Sequence, residues 1–260
     1  MEMNEMTSKF KNEKYIIARD VLPKSFCEII VNYAKFQALY DFTPECSKHA
    51  QVPDTHSRYA DFLMESFLLY LQPIIEKNIG KSLLPAYSYY RVYKKGDKLY
   101  PHIDRSACEV SATVAFGWPD TANWPFKISN DKVYIDGTEE CHTPSSDDAT
   151  IVISLNPGDM LIYAGPLVKH WRDPLDSMAY VQAFFHYVYA DGPNASYQFD
   201  GRDAIGVPKI SAGFEYFKYS DLMQALLKRN LRKKAMRQIA KRYLILLMMK
   251  LNLPLPKLLF

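Results

Sequence analysis

The sequence predicts a mainly β fold, a β-barrel or jelly roll, with N-terminal helices before it and a C-terminal basic helix after it. Residues 85–190 form short runs of β-branched and aromatic residues divided by turns, such as YSYYRVY before KKGD and TIVISL before NPGD. Helical patterns precede these runs and do not alternate with them, which argues against a parallel βαβ fold. Residues 221–251 are rich in helix formers and contain no Gly or Pro.

The composition is that of a folded cytoplasmic protein. The 260 residues are 48% hydrophobic and fit one large domain with an appendage, or two small domains. No run approaches the roughly 20 apolar residues of a membrane-spanning helix, and the polar start MEMNEMTSKFKNEK is unlike a secretory signal. Four cysteines without paired spacing are expected to be reduced thiols: Cys27, Cys46, Cys108 and Cys141.

Two helices are expected in the N-terminal part, about residues 1–84 of a first domain that spans 1–220. Ser25 and Glu28 form an S-x-x-E capping box ahead of a helix over about 26–36. A second helix is expected over about 59–71, with one apolar face. That face consists of Phe62, Leu63, Phe67 and Leu71.

The segment 221–260 differs from the rest of the chain in its charge. It holds ten Lys or Arg and one acid, a charge of +9, which leaves −6 for the remainder of a chain whose net charge is +3. We expect an amphipathic helix over 221–251 that either packs on the barrel or contacts an anionic membrane surface or a partner protein. Only the charge supports nucleic acid, which is not expected as a partner.

A possible metal site lies in the segment YKKGDKLYPHIDR. His102 and Asp104 are two residues apart, so strand alternation places both side chains on one face. Two histidines and a carboxylate suit ferrous iron and leave three positions open. His170, 66 residues after Asp104 in GPLVKHWRDPL, is the candidate third ligand. The H-x-D pattern alone is weak, because a hydrogen-bonded structural histidine is the common alternative.

Two longer segments strengthen the interpretation. YYRVYKKGDKLYPHIDRSACEVSATVAFG and NPGDMLIYAGPLVKHWRDP resemble the 2-oxoglutarate/Fe(II)-dependent dioxygenases, nearest the prolyl-4-hydroxylase-like branch, over about residues 89–189. The resemblance implies a double-stranded β-helix over about 85–190 within an oxygenase domain. It implies Fe(II) held by His102, Asp104 and His170, with 2-oxoglutarate and O2 as co-substrates and ascorbate as a candidate reductant. It also implies hydroxylation, because halogenating relatives lack the carboxylate that Asp104 supplies.

The distal carboxylate of 2-oxoglutarate needs a cation and a hydroxyl, because burying an unpaired carboxylate is costly. The family supplies Arg or Lys about ten residues after the distal histidine, where this chain has Ala179, Tyr180 and Val181. Arg172 is the first replacement, since it follows His170 by two residues; a salt bridge to Asp173 or Asp176 is the alternative. Arg91 is the second, with the substrate as its other possible ligand.

Two tyrosines complete the expected co-substrate site. Tyr93 matches the family tyrosine that hydrogen-bonds the co-substrate. Tyr100 lies two residues before His102, where alternation turns it inward unless Pro101 bends the chain; relatives carry their tyrosine three residues before, at the position of Leu99. His186 is expected to be structural.

Three functions agree with these residues. The first is hydroxylation of a small molecule, such as an amino acid or a biosynthetic intermediate. The second is hydroxylation of a prolyl or other side chain in a protein that the basic tail recruits. The third is a metal-binding jelly-roll module without catalysis. The sequence does not specify the substrate, because specificity depends on variable loops.

Overall fold

The computed structural model describes residues 3–40, 52–53, 55–118, 123–129 and 150–206. The predicted basic helix at 221–251 lies outside these residues. So does KVYI at 132–135, a further β-branched run that predicts a strand. The division of the chain at residue 220 therefore stays a prediction.

Within the described residues, three α-helices come first and most of the strands follow. The helices are α1 (Met3–Glu13), α2 (Lys24–Tyr40) and α3 (Phe62–Ile79). The strands are β1 (Tyr15–Ala18), β2 (His56–Tyr59), β3 (Leu83–Lys94), β4 (Leu99–His102), β5 (Val110–Gly117), β6 (Phe126–Ser129), β7 (Thr150–Ile153), β8 (Met160–Tyr163), β9 (Lys169–Arg172) and β10 (Ala179–Tyr189).

The strands form two antiparallel sheets. The larger has the order β1-β8-β5-β10-β3-β2 and the smaller has the order β4-β9-β6-β7. The longest pairing joins β3 and β10, from Leu83 opposite Tyr189 to Lys94 opposite Ala179. The predicted mainly β architecture, a jelly roll with N-terminal helices, is confirmed.

The larger sheet is buried on both faces, as β5 shows. Val110, Ala112 and Val114 pack into a core that includes α2 and α3. The alternate residues face the smaller sheet, and Ala115 belongs to a second core that also contains Phe126 of β6. Side chains on this inner face of β5 are therefore buried between the two sheets.

Helix α3 begins later than the sequence predicts. The Asp61 side chain caps the helix by accepting from the N–H groups of Leu63 and Met64, and Tyr59 is already paired with Tyr89 in β2. The expectation that Phe62 belongs to the buried face is wrong, since its side chain is 74% exposed. Helix α2 starts at Lys24, so Ser25 lies inside the helix.

The chain after β10 returns to the helices through a buried ion pair. Arg202 donates to Glu65 of α3 at 2.8 Å, and Glu65 also accepts from the Ser88 hydroxyl of β3. Among the described helices, none is long and apolar enough to cross a membrane. Cys27 and Cys108 are free buried thiols; the other two cysteines lie outside the described residues.

Candidate metal centre

Two paired strands of the smaller sheet bring the candidate ligands together. His102 at the end of β4 lies opposite His170 on β9. Asp104 follows β4, and its backbone N–H donates to the carbonyl of Gly165 at 3.0 Å. The turn after β8 therefore fixes the carboxylate beside the two imidazoles.

The three side chains point their donor atoms at a common volume. The Oδ1 atom of Asp104 lies 3.7 Å from Nε2 of His102 and 3.6 Å from Nε2 of His170. One ligand atom from each residue lies within 4.8 Å of the other two. Two imidazole nitrogens and a carboxylate oxygen at this spacing suit a divalent metal with open coordination positions.

Backbone hydrogen bonds set the tautomer of both histidines. Nδ1 of His102 lies 2.8 Å from the carbonyl oxygen of Tyr100, and Nδ1 of His170 lies 2.8 Å from that of Val168. A carbonyl only accepts, so each Nδ1 carries the proton and each Nε2 presents a lone pair to the shared volume.

The electrostatics of the cluster keep its groups in metal-binding form. Burial and the nearby His102 lower the pKa of His170 to about 4, so its imidazole is neutral at pH 7. Burial acts to raise the pKa of Asp104, but His170, His186 and His102 outweigh it and lower that pKa. The carboxylate is therefore ionised.

A second group of buried side chains supports Asp104 from behind. The Ser111 hydroxyl on the inner face of β5 donates to Oδ2 of Asp104 at 2.9 Å and lies 3.0 Å from Nδ1 of His186. Burial lowers the pKa of His186 to about 4. Next to it, the hydroxyl of Tyr87 lies 3.2 Å from Sγ of Cys108. Sequence reasoning missed Ser111 and gave His186 only a structural role.

Gly165 is required beside Asp104 for steric reasons. A Cβ at this position would lie 2.6 Å from Oδ2 of Asp104 and 2.5 Å from the carbonyl oxygen of Cys108. Both distances are well below van der Waals contact, so a larger residue would displace the carboxylate. The local sequence LIYAGP contains this glycine but gives no sign that the position requires one.

Arg172 lies deep between the sheets and is 1% exposed. It donates to the carbonyl of Trp124 and, at 2.8 Å, to Oε1 of Gln182, which in turn bonds Thr113. Its Nε has no hydrogen-bond partner among the described residues, and burial lowers its pKa. The guanidinium thus contacts only neutral groups in this part of the chain.

The two aspartates after Arg172 have other partners. Asp173 pairs with Lys127 at 2.5 Å, and Asp176 pairs with Lys95 at 3.9 Å. The salt bridge considered as the alternative role for Arg172 therefore does not occur in the described structure.

Arg172 also lies beside the part of β10 that follows His170 by about ten residues. Its guanidinium carbon lies 5.7 Å from the ring centroid of Tyr180, and Gln182 is its hydrogen-bond partner. The space beside these two neutral side chains of β10 therefore contains the guanidinium of Arg172.

Arg91 and Tyr93 lie on the inner face of β3, as expected. Tyr93 is buried, and Arg91 is 4% exposed with its guanidinium carbon 5.5 Å from the Tyr93 ring centroid. Burial raises the pKa of Tyr93, although the charges of Arg91 and Arg172 act to lower it. Both arginines therefore act on the same phenol.

Tyr100 does not turn inward into the expected co-substrate site, and the alternative, a bend of the chain at Pro101, applies instead. Its side chain is 53% exposed, with the Lys98 ammonium 4.2 Å from the ring centroid. The register shifts in β4, because Leu99 lies opposite Arg172 and His102 opposite His170, which leaves two residues of β4 against one of β9. This bulge turns Leu99, not Tyr100, into the space between the sheets.

The fold is shared with solved structures, although no protein-family model matches the sequence and no curated protein is significantly similar to it. SnoN, a non-heme alpha-ketoglutarate-dependent epimerase from nogalamycin biosynthesis, is 13% identical with a TM-score of 0.58, over 81% of this chain and 93% of SnoN.

Two further structures are similar. HygX from Streptomyces hygroscopicus, with nickel and 2-oxoglutarate bound, is 13% identical with a TM-score of 0.50, over 70% of this chain and 85% of HygX. A prolyl-4-hydroxylase from Pseudomonas putida is 11% identical with a TM-score of 0.50, over 71% of this chain and 98% of that protein. Structural similarity at identities this low shows the fold alone. The chain has the double-stranded β-helix fold that 2-oxoglutarate/iron-dependent oxygenases have.

Proposed function

We propose that the protein is a non-haem Fe(II)/2-oxoglutarate-dependent oxygenase that hydroxylates a C–H bond of a small molecule. One observation carries the proposal: His102, Asp104 and His170 direct two Nε2 atoms and a carboxylate oxygen at one volume. The same fold in HygX holds nickel and 2-oxoglutarate. Metal-binding histidines almost always donate their other ring N–H in this way, as both Nδ1 atoms do here to backbone carbonyls.

The chemistry divides between the bound groups and the chain. Iron with 2-oxoglutarate and O2 supplies oxidising power through decarboxylation of the co-substrate. The chain supplies the Nε2 atoms of two imidazoles and an ionised carboxylate, and it leaves coordination positions free for the co-substrate. The packed inner faces exclude water from the part of the site around His170 and Arg172, which are 2% and 1% exposed.

Arg172 is the proposed partner of the distal carboxylate of 2-oxoglutarate. It follows His170 by two strand residues, a rise of roughly 6.6 Å, which is about the length of the five-carbon co-substrate. A buried guanidinium with only neutral partners in the described structure favours an anion. Tyr93 offers a hydroxyl group nearby, and the charge of Arg172 acts on that phenol.

A small-molecule substrate is favoured over a peptide. SnoN belongs to nogalamycin biosynthesis, and HygX has been solved with hygromycin B bound, at a TM-score of 0.50. The prolyl-4-hydroxylase neighbour keeps a peptide substrate as the alternative outcome of the test.

The test is iron-dependent formation of succinate from 2-oxoglutarate, measured with pools of small acids, amino acids and prolyl peptides. His102→Ala, Asp104→Ala and His170→Ala should each abolish turnover while the melting temperature stays near that of the unaltered protein. Tyr100→Ala, at an exposed position near the site, is the control and should retain turnover. Near-normal succinate formation with bound iron in any ligand variant would contradict the assignment.

A further inference from the structure

Arg91 is a buried cation that the proposed reaction does not use. It is 4% exposed and lies on the inner face of β3. Among the described residues, its one side-chain hydrogen bond runs from Nη2 to the hydroxyl of Tyr89 at 3.0 Å, and its Nε has no partner. No carboxylate pairs with it among the residues that the structure describes. Burying a charge in this way is costly unless an anion joins it.

The strand register locates Arg91 relative to the candidate metal ligands and to Arg172. On the inner face, Tyr87 lies opposite His186, Tyr89 opposite Phe184, and Arg91 opposite Gln182. His186 marks the level of the metal cluster through Ser111, whereas Gln182 marks the level of Arg172. The bond to Tyr89 draws the guanidinium of Arg91 back toward the metal level.

Two side chains of the inner face beside Arg91 are partly exposed to solvent. Tyr89 and Phe184 lie opposite each other with ring centroids 6.4 Å apart, and both remain partly exposed although they point between the sheets. His102 and Asp104 are also partly exposed. A molecule that reaches the metal cluster from solvent therefore has access to the wall that carries Arg91.

The co-substrate does not require this arginine. Arg172 shares its strand with His170 and bonds Gln182, whereas Arg91 keeps Nε and Nη1 without hydrogen bonds in the described structure. An Arg fork with free donors matches a carboxylate in a two-point contact. The aromatic rings of Tyr89 and Tyr93, 5.3 and 5.5 Å from the guanidinium carbon, confine such a group.

We propose that Arg91 binds a carboxylate group of the substrate, so that the substrate is an organic acid. This rests on the proposed function, because it takes the metal cluster as the reacting centre. Arg91 selects and orients the acid, and a neutral analogue of the same shape leaves its guanidinium unpaired.

The test measures binding of matched acid and amide pairs, acetate with acetamide and benzoate with benzamide, to the full chain loaded with Ni(II) and 2-oxoglutarate. Isothermal titration should give at least one acid a dissociation constant about tenfold or more below that of its amide. Arg91→Gln should abolish this preference, and Arg91→Lys, which keeps the charge, should retain part of it. Thermal melts establish that both variants fold.

Failure of the inference and failure of the proposed function give different results. Equal affinity for acid and amide in every pair, or a preference that survives Arg91→Gln, would overturn the role of Arg91. Loss of 2-oxoglutarate binding in Arg91→Gln but not in Arg172→Gln would also overturn it, because Arg91 would then hold the co-substrate. A chain that binds Ni(II) but not 2-oxoglutarate would overturn the proposed function. The affinities for acid and amide would then be compared in the chain loaded with Ni(II) alone.

Discussion

Removal of the Ser111 hydroxyl tests whether the residues behind the metal cluster position Asp104. The hydroxyl has one proton, which it donates to Oδ2 of Asp104 at 2.9 Å, with the carbonyl oxygen of Cys108 as a second acceptor at 3.2 Å. It therefore accepts from Nδ1–H of His186, 3.0 Å away. One oxygen atom thus orients two buried groups, and Ser111→Ala releases both while leaving all three proposed ligands in place.

The size of the effect follows from the charge on the acceptor. A hydrogen bond to an ionised group contributes about 1.5–3 kcal/mol, and loss of a partner that orients a metal ligand lowers metal affinity by about 10–100-fold. We therefore expect the dissociation constant for Co(II) to rise by about 10–100-fold in Ser111→Ala.

The assay is isothermal titration of Co(II) into the metal-free protein, with Ser88→Ala as the matched control. The Ser88 hydroxyl is fully buried and donates to a carboxylate oxygen of Glu65 at 2.9 Å, on the other face of the same sheet. Both variants should lose folding stability, but only Ser111→Ala should lose Co(II) affinity. An unchanged constant in Ser111→Ala, or an equal change in Ser88→Ala, would refute the reasoning.

Three further predictions concern the co-substrate, the metal and the tail. Arg172→Ala should raise the Michaelis constant for 2-oxoglutarate about tenfold or more, because a charge-assisted pair in a dry pocket is lost; steady-state kinetics measure it, and an unchanged constant would remove Arg172 from this role. Gly165→Ala should weaken Co(II) binding at least about tenfold in titration, since its Cβ would lie 2.6 Å from the proposed carboxylate ligand. Gly201→Ala, whose Cβ meets nothing within 4 Å, should not. A chain that ends at Tyr219 should keep Co(II) and 2-oxoglutarate affinity in titration, because every proposed ligand lies upstream; lost affinity would show that the tail supports the site.

The fold and most of the candidate metal site were predictable, because each leaves a pattern in the local sequence. Alternating aromatic and β-branched runs with Gly and Asp turns predict strands wherever the sequence has them, as in β3 and β10. The ligand types are constrained by chemistry, and the two-residue spacing of His102 and Asp104 carries them to one place. The distal His170 required the family resemblance, because nothing local distinguishes it from a structural histidine.

The support of the cluster was not predictable for a physical reason. Strand β5 is buried along its whole length, so its sequence VSATVAFG has no contrast between an apolar and a wet face. Ser111 is then one small residue in a buried strand, and only the sheet order shows that it faces Asp104. Gly165 matters because it has no side chain where Asp104 and Cys108 approach it. That approach of a distant segment cannot be deduced from the local sequence.

The bulge in β4 shows how one extra residue changes the chemistry of the inner face. Alternation from His102 assigns Tyr100 to that face, but two residues of β4 lie against one of β9 here, and Leu99 turns inward instead. The wall opposite Arg172 is therefore apolar at this point, where relatives place a tyrosine hydroxyl. Apart from Arg172 on the smaller sheet, polar contacts to an anion between the sheets then come from the larger sheet, which carries Gln182 and Tyr93. The larger sheet also carries Arg91, so an acidic co-substrate paired with Arg172 and an acidic substrate paired with Arg91 would be held from opposite sheets of the barrel.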